Sequence, residues 1–284
     1  MSIRIITDSA SDITPEHANE LGINIIPMKV TFGDKTFLDG IELGHERFFE
    51  MLIESDTLPT TSQINPFEYE EEFRKIVDEG DEVICIVLSK ALSGCYQSAC
   101  IAAEEFDGKV SVVDSENACI GEMILVERAV QLANLGKSRK EIVETLEAEK
   151  KTICLVALLD TLEYLKKGGR ISATAAVAGA ILNIKPVIAI EHGEVALKGK
   201  ARGSKNGNNI LKEQIKASGG IDFDKPCMLA YAGFSRAMLD KYLADCQELY
   251  EDYDGELRSC SIGSIIGTHI GPGAIAAAFF SHIE

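Results

Sequence analysis

Residues 81–106 read DEVICIVLSKALSGCYQSACIAAEEF. DEVICIVLS (81–89) is a near-continuous apolar run of strand length, the kind that a parallel sheet buries on both faces. A short polar loop follows, and SGCYQSACIAAEEF (93–106) is the helix after it. Ser93 stands where that helix expects its N-cap, so its hydroxyl and the helix's free N–H groups face outward together. Such an arrangement suits an anion.

The same unit recurs on both sides. IRIITDS (3–9) and KVSVVDS (109–115) are strands, and INIIPMKVTFG (23–33) is strand-like. Thr14 caps a helix with Pro15 at its first position. Asn65, Pro66 and Glu68 supply the cap, first-turn proline and third-position acid of another. Two more helices run over 120–135 and 138–150. Near residue 152 the pattern changes. TICLVALLDTL leads into LEYLKKGGR, a short helix ended by Gly168 and Gly169. KPVIAIEHGEVALKGKARG holds two apolar runs joined by HGE, a hairpin signal. Then come a polar helix at 206–218, the strand CMLAYAG, a helix at 235–252 and LRSCSIGSIIGTH (257–269), read as a strand. The expected fold class is therefore α/β in two domains. Residues 1–154 form a three-layer α/β/α domain with a mostly parallel sheet. Residues 155–284 form a smaller two-layer α/β domain with a mixed or antiparallel sheet.

Composition narrows the function. The chain has 284 residues, of which 46% are hydrophobic and 26% charged, a globular balance. Its net charge of −17 argues against a protein that tracks nucleic acid, which needs a basic footprint, and leaves room only for a local basic patch. The eight cysteines are scattered singly with no CxxC, which points to small buried hydrophobes in a reducing cytosol. No apolar stretch reaches bilayer-spanning length, and the opening MSIRIITDSA reads as a strand, so a cytoplasmic location is expected. Neither metal nor cofactor is expected. GxGxxG, HExxH, GxSxG and Walker A loops are all absent.

Ligand sites in such sheets lie beyond the carboxyl ends of the strands. Three hydroxyl-rich segments fall there: TDSASD (7–12), PTTSQINP (59–66) and LSKALSG (88–94). Each hydroxyl taken alone caps its own helix; three on one sheet edge favour a site. KKGGRIS (166–172) and KGKARGSK (198–205) place Arg170 and Arg202 among glycines, as a solvated face or as cations for a ligand. ISATAAVAGAILNIKP (171–186) reads as a helix of small apolar residues, either core or the wall of a slender cavity. In GTHIGPGA (267–274), Gly271 and Gly273 shape a turn that opens a buried helix over AIAAAFF. His269 is there either incidentally or reaching for an anion at the helix N-terminus. A Ser93–His269 pair as nucleophile and base, in a lipase-like hydrolase of acyl esters, is the alternative from another class. A regulatory or sugar-phosphate-binding module is a third.

Eight segments in order resemble the DegV family, bacterial fatty-acid-binding proteins that serve as the lipid-carrying subunit of fatty acid kinase. They are TDSASD, PTTSQ (59–63), LSG with YQSA (92–99), VVDSENA (112–118), DTLEYLKKGGRIS (160–172), LNIKPVI (182–188), RG (202–203) and GTHIGPGA. The departures are slight, such as Asn65 where serine is common. The resemblance implies a two-domain α/β fold with one long-chain fatty acid in a tunnel between the domains. Thr61 and Ser93 would donate to its carboxylate, and His269 would close the polar end. Ser62, Gly94, Gly271 and Gly273 would support those loops. Arg170 and Arg202 would form the basic surface near the tunnel mouth, where the partner kinase meets the protein. The kinase would supply the ATP chemistry that makes the acyl-phosphate, and this chain would be a non-catalytic carrier touching membrane surfaces transiently for lipid exchange.

Overall fold

The computed structural model describes residues 2–171, 184–251 and 253–282. Its first half runs β1 (Ile3–Asp8), α1 (Pro15–Leu21), β2 (Asn24–Ile26), β3 (Lys29–Phe32), β4 (Lys35–Leu38), α2 (His45–Glu54) and β5 (Thr60–Ser62). It continues with α3 (Pro66–Asp78), β6 (Glu82–Val87), α4 (Cys95–Ala103), β7 (Val110–Asp114), α5 (Cys119–Asn134) and α6 (Arg139–Glu149). The second half adds β8 (Ile153–Leu158), α7 (Glu163–Lys167), β9 (Ile184–Glu191), β10 (Glu194–Arg202) and α8 (Ser204–Ala217). Then come β11 (Met228–Tyr231), α9 (Ala237–Asp245), β12 (Ser259–Ser261), α10 (Ser264–Ile270) and β13 (Ile275–Phe280).

Helix starts follow local chemistry. Thr14 accepts from the His17 N–H at 3.2 Å, and Asn65 with Glu68 closes a capping box on α3. Ser138 and Glu141 do the same for α6.

Three sheets result. One is wholly parallel in the order β2-β1-β6-β7. A small antiparallel sheet runs β4-β3-β5, and a six-stranded mixed sheet runs β10-β9-β8-β13-β11-β12 with only β11 and β12 parallel. The α/β class with parallel and mixed sheets is thus as expected. The small antiparallel sheet was not foreseen, because the strand-like stretch 23–33 splits around Pro27. A proline cannot donate to a ladder, so β2 joins the parallel sheet and β3 pairs elsewhere.

Two assignments near the end of the chain are corrected. Residues 257–269 are not one strand: β12 is three residues long and α10 follows it. AIAAAFF is not a helix but β13, a central strand flanked by β8 and β11. Ala276, Ala278 and Phe280 face the core shared with the parallel sheet, while Ile275, Ala277 and Phe279 face α8 and α9. With both faces covered, the strand loses the polar alternation that marks a half-exposed one. The small-residue helix read over 171–186 lies largely outside the described residues; Ile184 onward is β9.

Between the parallel and mixed sheets lies α5, with twelve buried residues around its whole circumference. Glu122 and Glu127 are among them. Glu122 accepts from the Thr7 hydroxyl at 3.0 Å, and Glu127 takes a bidentate bond from Arg258 at 2.8 and 2.6 Å. That ion pair ties the two halves together beside the helix.

Candidate functional site

A cavity of about 210 Å³ opens between the parallel sheet and the mixed sheet. Leu88 and Leu92, from the loop after β6, and Ala118 and Cys119, at the start of α5, form one side. Leu155, Ala157 and Ile188 form the floor. α10 gives Ile265, Ile266, His269 and Ile270, spaced so that one helix face looks inward. The polar lining gathers in Thr61, Gln63, Ser93 and Arg170 beside His269.

Each polar group is placed by its element. Thr61 sits in the middle of β5, whose residues alternate in direction. Thr61 and Gln63 therefore line the cavity, while Ser62 is exposed on the opposite side. The Thr61 Oγ1 lies 3.1 Å from His269 Nε2, joining residues 208 apart. His269 is in the last turn of α10. Gly271 and Gly273 do not open a helix N-terminus, as the sequence suggested; Gly271 ends α10, and its N–H donates to Gly267. A Cβ at Gly271 would run into the Tyr164 ring, so close packing requires that glycine, and neither glycine lines the cavity.

Ser93 lies one residue before the position expected of it. The N-cap is Gly94, and the Ser93 hydroxyl accepts from Cys95 N–H and donates to Cys95 Sγ, both at 3.3 Å. A side chain at Gly94 would collide with the Gln63 amide, which itself donates to Ser98 Oγ at 3.1 Å. Arg170 is drawn inward rather than lying out on the surface. Its Nη1 donates to the Gly168 carbonyl at 2.7 Å and its Nε to the Leu92 carbonyl at 3.2 Å. Arg202, at the exposed end of β10, does not reach the cavity.

His269 is neutral at physiological pH. Burial pushes its pKa down to about 4, and the nearby Arg170 charge adds to the effect. Its Nδ1 is buried without a hydrogen-bond partner among the described residues. The Arg170 cation favours a lone pair on Nδ1, so we assign the ring proton to Nε2. Nε2 then donates to Thr61, whose own hydrogen is left to point at a ligand. The geometry of a Ser–His hydrolase is not met among the described residues: Ser93 is bonded to Cys95, His269 to Thr61, and no acid orients His269 Nδ1.

TDSASD does not line this cavity. In the crevice between β1 and β6, where the strand order reverses, Asp8 accepts from the Ala10 and Leu88 N–H groups, each at 3.0 Å. Asp12 accepts from Gly263 N–H at 2.8 Å, and Asp39 from Ser264 N–H at 3.1 Å. Asp12 and Asp39 thus hold the N-terminus of α10, whose other end carries His269. Burial raises Asp8 to about 6 and Asp12 to about 7. Sequence reasoning missed Gln63 as a lining residue, although PTTSQ contained it, and missed Asp12 and Asp39 as the anchors of α10. Among the described residues, no group of three or more His, Cys, Asp or Glu side chains is arranged to hold a metal, and no helix is long and apolar enough to cross a membrane.

Thr61, Ser93, Arg170 and His269 border the cavity, and Thr61, Arg170 and His269 also border an open groove on its outer side. The arrangement is an aliphatic chamber with a polar, cationic end, suited to an amphiphile with an anionic head. Fold and site together define an α/β protein built around an apolar chamber between two sheets. The model of the DegV family, described as "Uncharacterised protein, DegV family", matches residues 2–282, and the chain belongs to that family. A DegV domain-containing protein of Deinococcus radiodurans is 35% identical over 284 residues, covering 98% of each chain. A Thermus thermophilus DegV family protein reported for fatty acid binding is 30% identical with a TM-score of 0.88, over 99% of this chain and 100% of that one. A stearic acid-binding protein of Eubacterium ventriosum is 25% identical with a TM-score of 0.85, over 99% of this chain and 98% of that one.

Proposed function

We propose that this protein holds one long-chain fatty acid in the cavity and presents its carboxylate, through the outer groove, to a partner kinase that converts it to an acyl-phosphate. The observation that carries the reading is an aliphatic chamber ending at two hydroxyls, a guanidinium and a neutral histidine. Fatty acid binding by the Thermus and Eubacterium relatives supports it. Burying an acyl chain gains about 0.8 kcal/mol per methylene, so the tail supplies the affinity. The carboxylate is the difficulty, since an unpaired charge taken from water costs several kcal/mol or shifts its pKa until it is protonated. Arg170 offsets that cost, and the Thr61 and Ser93 hydroxyls fix one oxygen where a phosphoryl donor can reach it. The chain itself then catalyses no step.

The direct test is denaturing extraction of protein purified from bacterial cells, followed by mass spectrometry. We expect about one fatty acid per chain; finding none, with none taken up on incubation, would exclude the reading. Acyl-phosphate formation with ATP only when a cognate kinase is added tests the second part.

A further inference from the structure

The β9–β10 hairpin overhangs its own sheet. β9 extends to Glu191, but its pairing with β8 involves only Val187, Ile188 and Ala189. From Ile190 to Val195 the two hairpin strands have each other as ladder partners. Their turn is His192–Gly193, with φ values of 52° and 81°, the left-handed pair that a two-residue type I′ turn requires. His192 and Glu194 are exposed, yet Gly193 between them is buried. Its carbonyl accepts a hydrogen bond of 2.8 Å from the Ser89 hydroxyl, 104 residues earlier. A Cβ at position 193 would strike that hydroxyl.

Ser89 is 1% exposed and connects several cavity walls. Its N–H donates to the Asn117 carbonyl at 2.9 Å, next to the Ala118–Cys119 wall. Its own carbonyl accepts from Leu92 and Ser93, at 2.9 and 3.0 Å, and so shapes the loop that carries the polar end. The hydroxyl then reaches across to the hairpin. Of the two cross-strand pairs in the overhang, Ile190 and Val195 form the one that lines the cavity.

We propose that the Ser89 hydroxyl latches the hairpin tip over the cavity, and that release of the tip is the route by which the acyl chain enters and leaves. The identity of the ligand rests on the fatty-acid reading above. Lifting the overhang breaks no ladder bond to β8, and local openings draw on such weakly paired segments. It also opens an aliphatic wall, so the tail moves past apolar side chains. Arg170, His269 and Thr61, by contrast, are tied to their neighbours by hydrogen bonds.

The test is the double variant Ser89→Cys, Gly193→Cys. The two Cβ positions lie 3.6 Å apart, within the roughly 3.5–4.5 Å that a disulfide spans. After oxidation, with the cross-link confirmed by mass spectrometry, exchange of bound cis-parinaric acid is followed by stopped-flow fluorescence. Each single variant is treated alike as a control for the native cysteines. We expect exchange at least about tenfold slower in the oxidised form, restored by dithiothreitol. Ser89→Ala should exchange about threefold or more faster while its equilibrium affinity moves less than about twofold. Should the double variant fail to fold, Ser89→Ala alone decides. Equal rates in the cross-linked and reduced forms, or in Ser89→Ala and the parent, would overturn the latch. Failure of the parent protein to take up parinaric acid would instead overturn the fatty-acid reading. Hydrogen exchange of residues 190–195 then decides the latch by itself. Greater protection when cross-linked and less in Ser89→Ala support it; unchanged protection overturns it.

Discussion

Thr61 and His269 set each other's orientation across 208 residues, and in the proposed function the neutral ring leaves the threonine hydrogen for the ligand carboxylate. Thr61→Ala removes that donor and leaves Nε2 without its partner. We expect roughly a ten- to hundredfold loss of fatty acid affinity, read by fluorescence titration of delipidated protein whose circular dichroism is unchanged. Asp12 offers a second handle. It is 2% exposed, and burial raises its pKa from 3.8 to about 7. The folded state therefore holds the proton more tightly than the unfolded chain. The stability this adds is complete below pH 3.8 and is lost as pH rises through about 7. Asp12→Asn keeps an oxygen for the Gly263 N–H but does not titrate. Between pH 5 and 8 the parent's Tm should fall by roughly a few degrees more than that of the variant; parallel curves in differential scanning calorimetry would contradict this. Thr61, Ser93 and His269 were legible as candidates because each sits in a motif of unusual local composition. The inward turn of Arg170 was not, because it depends on the carbonyl of Leu92, 78 residues away.

The C-terminal ends of α7 and α10 meet at the polar end of the cavity. Gly168, which follows α7, packs so closely that an added Cβ would run into His269 Nδ1. Gly168→Ala should push the ring off Thr61. We expect it to lower ligand affinity as Thr61→Ala does and also to cost about 1–3 kcal/mol of stability through overpacking, measured by the same titration and by urea unfolding. Helix starts were readable because capping is local: Asn65 and Glu68 satisfy each other's backbone groups three residues apart. Asn65→Ala should accordingly cost about 1 kcal/mol and leave ligand affinity unchanged, which urea unfolding and the titration together check. β13 was misread for the opposite reason. An isolated AIAAAFF does not reveal that β8 and β11 flank it or that cores cover both its faces. The same error made Gly271 and Gly273 look like the start of a helix, when they join the end of α10 to a strand.

The whole molecule closes two sheets around α5 and leaves a chamber whose one cationic group, among the described residues that line it, is Arg170, in a chain of net charge −17. An anionic head at that end, as the proposed function requires, would be met locally, whatever the net charge. Filling the chamber stabilises the fold by mass action, so delipidated protein should melt at lower temperature than loaded protein. At fatty acid concentrations one hundred times Kd the gain approaches about 2.7 kcal/mol, seen as a Tm that climbs with added ligand; a flat response would count against binding in the core. The amino-acid sequence by itself determined the alternation of strands and helices, their caps, the hairpin at His192–Gly193 and the eight ordered segments that resemble one family. All of these depend on residues close together in the chain. The tertiary structure alone decided that AIAAAFF is a central strand, that Asp12 of TDSASD anchors α10 away from the cavity lining, and that Ser89 meets Gly193. Those outcomes depend on which faces become covered and which distant groups are left to satisfy one another, and no local pattern encodes either.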